Sequence, residues 1–377
     1  MPSSRAVLAA ARRWVVPVAA PAVIALAIAA GVDFINRHAP TSDEAGREPG
    51  RAGAAQPVGP AWDRPAPTLM AKGRPLPRHL VSVSRSGSAV VVRDVRTLAA
   101  VARVEAPAKR RFRQVAAAGL DPSSYIVSAS AGGGTAFYRL RIGGDGRPDP
   151  LRPLSRIWLP GASTAWSDMA VNERGDTMAY VSYRSSRASG SSRSAGANGG
   201  SNGGASRPRI TIDVVPTTGG TRRTWTTSLN GRIGGLSWAG RTLSFVWAPM
   251  RGTKVLRHQV RTVDTALPPG DLKVSRPGLT LPDRADTAVM SRDGSTVVTG
   301  IAARSGLELA AYSTADGRRT GVLWRGPGGR RPPRVVQLVA DAGSGDLIAV
   351  AADGRVLVAP AHGGTAFAAA DIADVAW

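Results

Sequence analysis

From about residue 78 the chain is written in short apolar runs of Val, Ile, Leu and Ala, broken by Gly, Asp and Pro. No stretch after Val32 sustains the three-and-four spacing of an amphipathic helix, so the pattern predicts strands. The runs follow a repeated order: apolar strand, glycine turn, second apolar strand. It is seen in "DMAVNERGDTMAYVSY", "GLSWAGRTLSFVW", "AVMSRDGSTVVTGIA" and "VQLVADAGSGDLIAVAA". Gly175, Gly240, Gly294 and Gly345 fall at the turns, where tight hairpins demand positive φ.

A third strand then meets a second turn, and this one can be counted along the whole region. It appears as "VRDVRTLAAV", "YRLRIGGDGRP", "DVVPTTGGTRR", "HQVRTVDTAL", "AAYSTADGRRT" and "LVAPAHGGTAF", six in all. Units of roughly forty to sixty residues with four strands each match the blades of a β-propeller. The expected fold is therefore all-β, a six-bladed propeller over residues 78–377. One unit carries an insertion, "RSSRASGSSRSAGANGGSNGGASRPR" (residues 184–209), whose flanks "TMAYVSY" and "ITIDVVP" both read as strands. It is expected to be a disordered Ser/Gly-rich loop, since closure entropy grows only slowly with loop length.

The two ends of this region complement each other. The first unit, "HLVSVSRSGSAVVVRDV", starts at what should be a second strand, and "DIADVAW" is a strand left over at the far end. Pairing them would close the ring and cover two unpaired edges. Trp377 would then take the place that Trp238 holds in the fourth blade.

The hairpins "VNERGDTMAYV", "LSWAGRTLSFV" and "MSRDGSTVV" resemble those of WD-repeat-like and TolB-type propellers. The likeness is nearest to single-pass, actinobacterial, propeller-bearing proteins of unknown role, and it covers residues 78–377. Ala239 stands before Gly240 where Asp is usual, and no Trp-Asp dipeptide occurs. TolB-type proteins act by binding partners in the envelope, so the resemblance implies a binding role as a class and transfers no site residue.

Ahead of the propeller, residues 14–32, "WVVPVAAPAVIALAIAAGV", are free of charge over about the length that spans a bilayer. Arg5, Arg12 and Arg13 precede the run, so residues 1–13 are expected in the cytoplasm and the remainder outside. The small-x-small triplet Ala27-Ile28-Ala29 also fits a cleaved signal peptide, which would give a secreted form. Arg12-Arg13 before the apolar run has the look of a twin-arginine signal. Residues 33–77, rich in Pro, Gly and Ala, read as a disordered linker.

Composition adds little chemistry. The formal charge of the 377 residues is +23, and nearly all the cations are Arg, which favours anionic surfaces without specifying one. No sequence pattern points to nucleic acid in particular. Cysteine is absent, so there is no thiolate nucleophile, disulfide or thiolate metal site. His38, His79, His258 and His362 are far apart, with no metal-pair spacing. "AGGGT" precedes a strand and cannot act as a helix-based phosphate cradle. Asp293 and Asp316 precede turn glycines, where a carboxylate serves its own backbone. No Gly-x-Ser-x-Gly elbow occurs. No catalytic, cofactor or metal residue is therefore assigned. Trp158, Trp166, Trp225, Trp238, Trp247, Trp324 and Trp377 are expected mostly between blades, with one or two at the channel top stacking on a sugar. The reading is a monomeric, membrane-anchored binding module whose partner is an envelope protein or wall polymer. A sensor coupled to a cytoplasmic regulator and a glycan-acting propeller enzyme are its alternatives.

Overall fold

The computed structural model describes residues 77–184, 209–326, 333–340, 347–359, 365–368 and 371–377. The predicted membrane helix at 14–32, nearly all of the linker, Gly345 and almost all of the Ser/Gly insertion lie outside these residues.

The strands fall into six antiparallel sheets. The first three described strands are β1 (His79–Val83), β2 (Ala89–Asp94) and β3 (Ala100–Glu105). The second sheet is β4 (Arg111–Ala117), β5 (Ser124–Ala131), β6 (Gly134–Arg141) and β7 (Arg152–Pro160). The third is β8 (Met169–Val171), β9 (Thr177–Arg184), β10 (Arg209–Pro216) and β11 (Arg223–Thr227). The fourth holds β12 (Gly231–Ala239), β13 (Thr242–Arg251), β15 (Gln259–Asp264) and β16 (Arg276–Thr280). Its β14 (Lys254–Val255) folds back on the end of β13. The fifth runs β17 (Ala285–Met290), β18 (Thr296–Ala303), β19 (Gly306–Ser313) and β20 (Arg319–Arg325). The sixth is β21 (Val335–Ala340), β22 (Leu347–Ala351), β23 (Arg355–Ala359) and β24 (Thr365–Ala368). The last strand, β25 (Asp374–Ala376), pairs with β1 and completes the first sheet in the order β25-β1-β2-β3.

The first strand of each sheet neighbours that of the next, in the cycle β25, β4, β8, β12, β17, β21 and back to β25. Six four-stranded units around a closed ring of inner strands make a six-bladed propeller. Among the described residues the expected hairpins and second turns fall where the strand spacing placed them, and Gly175, Gly240 and Gly294 adopt φ of +71°, +56° and +73°.

Packing explains why the second and third strands read as nearly unbroken apolar runs. Six hydrophobic clusters fill the six joints between successive blades, so strands such as β10, "RITIDVVP", are covered on both faces. The outermost β3 has one face open, and from Val101 onward its burial alternates residue by residue. Trp377, 1% exposed, sits in the joint of blades six and one, and Trp225, fully buried, in that of blades three and four.

Trp247 and Trp324 also pack against the joints of blades three and four and of blades five and six, as expected, whereas Trp158 belongs to no joint, and all three do a second job. The rings of Trp158, Trp247 and Trp324 lie against Gly134, Gly231 and Gly326, where a Cβ would come within 2.3–2.5 Å of ring carbons. Each covers a bare backbone segment within its own sheet. The β14 hairpin and a single 3₁₀ turn at Leu272–Val274, capped by Asp271, are local additions to the fourth blade that strand periodicity did not predict.

Candidate functional site

Each inner strand, or the residue leading into it, contributes one polar or small residue just ahead of a buried core residue. Val115, Met169, Leu236, Ala288, Leu338 and Val375 are those core residues, and Gln114, Asp168, Gly235, Thr287, Gln337 and Asp374 precede them. All six of the preceding residues line one central cavity of about 720 Å³. Four of the inner strands, β4, β12, β17 and β21, carry a bulge beside this level, each with one extra residue against its partner strand. A bulge leaves backbone groups outside the ladder, and those groups need partners.

The neighbouring blade supplies them. Asp374 Oδ2 accepts the N–H of Val115 at 2.5 Å, tying blade one to blade two. Gln114 Nε2 donates to the Thr164 carbonyl of blade three at 3.5 Å, and its Oε1 lies 3.1 Å from the Tyr180 hydroxyl. Asp168 Oδ2 accepts the N–H of Leu236 in blade four at 2.8 Å. Ser237 Oγ accepts the N–H of Met290 in blade five at 3.0 Å. Arg334, ahead of β21, donates to both oxygens of Asp286 at 2.8 and 2.9 Å. Gln337 of blade six donates to Asp374 Oδ1 and to the Val375 carbonyl, which returns the circuit to blade one. Every joint in the ring thus has a polar tie facing the cavity.

This arrangement shapes the local electrostatics. Burial pushes the Asp374 carboxyl well above the usual range, and the charge of Asp168 adds to the rise, against the hydrogen bonds from Val115, Val375 and Gln337. Burial also raises Asp168, which keeps some surface open to the cavity, against N–H groups of Leu236, Met169 and Gly235. Tyr183 is pushed up to about 12, chiefly by burial. His258, whose Nδ1 lies 3.7 Å from Asp286, is held below its ordinary value by burial, with Arg334 and Arg232 adding to the effect and Asp286 opposing it.

The two ends of the cavity differ. Where the inner strands finish, Arg292 pairs with Glu173 at 3.2 Å. Where they begin, Arg113, Trp166, Arg232, His258 and Arg334 come together from five elements or their lead-in loops. Trp166 is 50% exposed, and the Arg232 guanidinium lies 4.0 Å from the centre of its ring. Tyr183 meets the same ring edge-on at 6.4 Å. Trp166 is the tryptophan at a channel mouth that composition could not single out, whereas Trp158, 48% exposed, belongs to an outer strand.

The residues weighed for chemistry are scattered. His79 begins β1 and His258 stands at the mouth, while His38 and His362 lie outside the described residues. Among the described residues no three His, Asp or Glu side chains cluster as a metal set. Asp293 and Asp316 serve their own turns, accepting from the backbone N–H of Ser295 and Arg318. The polar belt itself escaped sequence reading, because its members differ in chemistry and align only once the bulges are known. No described helix is long and apolar enough to cross a membrane.

No family model matches the sequence, and no curated protein is similar to it. Solved structures similar to the chain include TolB from Acinetobacter baumannii, at 11% identity and a TM-score of 0.48, covering 79% of this chain and 66% of that one. A protein of unknown function from Bacteroides caccae has 10% identity and a TM-score of 0.46, over 80% and 98% of the two chains. A putative TolB from Agrobacterium tumefaciens has 11% identity and a TM-score of 0.45, over 78% and 92%. TolB, which the hairpins resemble, is thus among its structural neighbours, and the six-bladed architecture rests on the strand order and the closed ring.

Proposed function

We propose that the chain is a non-enzymatic binding module, anchored in the membrane by residues 14–32, with its propeller outside the cell and its receptor surface at the mouth where the inner strands begin. One observation carries this reading. The carboxylates deep in the cavity, Asp168 and Asp374, spend their oxygens on backbone N–H groups and a glutamine of neighbouring strands. They are ties of the scaffold and present no free oxygen pair for acid–base work. The mouth above them presents a half-open aromatic ring and cations, the parts of a recognition surface. The charge-free run after three arginines supports the anchor, and residues 33–77 supply the reach.

Capture from envelope extract on the immobilised full-length chain tests the proposal. A specific, saturable partner should be retained by the parent and lost by Trp166→Ala. Identical capture by both, or a blank in several conditions, would remove the module reading. The anchor is checked separately: the protein should remain with membranes after a high-salt wash, and a mature form starting near Ala30 would show cleavage.

A further inference from the structure

The arginines lining the cavity are not equivalent. Arg334 is engaged by Asp286 and Arg292 by Glu173. Arg113 and Arg232 have no acidic partner among the described residues, and the Nε–H of each is buried with no acceptor. That Nε–H is closed to solvent and so to a ligand; what a bound anion would meet is the guanidinium charge, which no carboxylate of the described residues neutralises. Blade order places Trp166, from blade three, between Arg113 of blade two and Arg232 of blade four, and all three line the same cavity. The Trp166 ring is held by Arg232 against it and by Tyr183 at its edge, yet half of it stays open.

Resting on the binding-module reading, we infer that this mouth takes an anionic saccharide, a pyranose bearing a carboxylate or phosphate. The flat ring of Trp166 suits the apolar face of a sugar, and guanidinium forks match the planar charge of a carboxylate or phosphate. Among the described residues Trp166 is the one half-open aromatic lining the cavity, a single stacking platform, whereas single-stranded nucleic acid uses a succession of them. A cavity of about 720 Å³ fits a sugar unit or two. The excess of arginine over the whole chain adds attraction for an anion.

Calorimetric titration of the full-length chain tests this with digalacturonic acid, glucose 6-phosphate, glucose and inorganic phosphate as probes. At least one of the two anionic sugars should bind saturably, and glucose at least about ten-fold more weakly, the loss of one charge-assisted contact. Trp166→Ala, Arg113→Gln and Arg232→Gln should each weaken that binding by about ten-fold, and Trp158→Ala should leave it unchanged. Trp166→Phe, which keeps a stacking face, should retain most of the affinity and guards against a folding defect. Equal binding of glucose, binding of inorganic phosphate as tight as that of the sugar phosphate, or no binding at all would overturn the inference. If extract capture still depends on Trp166 while no anionic sugar binds, the ligand class is wrong and the module stands. If both fail, both fall.

Discussion

Asp374 Oδ2 and the backbone N–H of Val115 meet at 2.5 Å across 259 residues of sequence. The other oxygen of the same carboxylate accepts from Gln337, so one side chain ties blades six, one and two together at the cavity wall. A strand of three residues can hold the ring closed because its side chain adds bonds that its short ladder lacks.

Truncating that side chain should expose the dependence. Asp374→Ala leaves the Val115 N–H without its acceptor and the Gln337 amide with the Val375 carbonyl alone, and the expected loss is about 1–3 kcal/mol for the orphaned donor. Urea unfolding of variant and parent measures it. A loss within about 0.5 kcal/mol, the scale of an ordinary surface change, would mean the tie is idle.

The same group sets a pH dependence of a defined sign. Its folded pKa is raised well above the ordinary 3.8, so the folded state holds the proton more tightly than the unfolded state. Its contribution is complete below 3.8 and is lost as pH climbs to and through the raised value. Turn carboxylates such as Asp293, held low by hydrogen bonds from Ser291 and Ser295, act only on the acid side of 3.8 and leave that window clear. The stability gap between parent and Asp374→Asn should therefore move against the parent as pH rises from 4 to 8. A gap constant with pH would show that the carboxyl ionises as it does in the unfolded chain.

The closing strand itself is testable by deletion. Removing residues 373–377 uncovers the β1 edge and empties part of the joint with blade six, and aggregation or strong destabilisation is expected. Trp377→Ala alone removes a ring that is 1% exposed, at a cost of about 3–5 kcal/mol. Unchanged thermal melts of the five-residue deletion would contradict closure by β25.

Gly235 is the one glycine in the belt. It sits at φ +60°, and a Cβ there would lie 2.5 Å from the carbonyl oxygen of Ala288. Gly235→Ala should cost about 1–3 kcal/mol in backbone strain, with the clash added to it. Gly252→Ala, at the same φ with open space around it, carries the strain without the clash and is the control. Equal losses at the two sites would show that blade five does not crowd Gly235.

The Ser/Gly insertion should be dispensable to folding. Arg184 and Arg209 are register partners in the β9–β10 ladder, so the strands already meet where the insertion leaves them. Replacing residues 187–205 by a short turn should shift the melting temperature by less than about 5 °C, the scale of a kcal/mol-class change. A larger drop would assign those residues a packing role.

The blades were legible because their signals are local. Gly175, Gly240 and Gly294 mark hairpins within a dozen residues of the strands they join, and the second turns repeat with the same short reach. The closure was legible from arithmetic, since one strand was missing at His79 and one was spare at Asp374. The belt was not legible. Gln114, Asp168, Gly235, Thr287, Gln337 and Asp374 share a position and no chemistry, and their partners lie in other blades. Nor could sequence rank the tryptophans. Trp166 and Trp225 are alike as letters, and only the strand order puts one at a mouth and the other in a joint.

Closing the ring with β25 also sets a timetable. During synthesis blade one begins to form from β1, β2 and β3, but its inner place stays vacant until β25, the last of the described strands, has been made. Through that interval the β1 edge stands open to solvent and to any strand that offers itself. The ladder between β1 and β25 is also the contact of longest sequence separation, and its closure entropy must be met before it returns any stability. The nascent chain is thus most exposed to mispairing between the synthesis of β1 and that of β25.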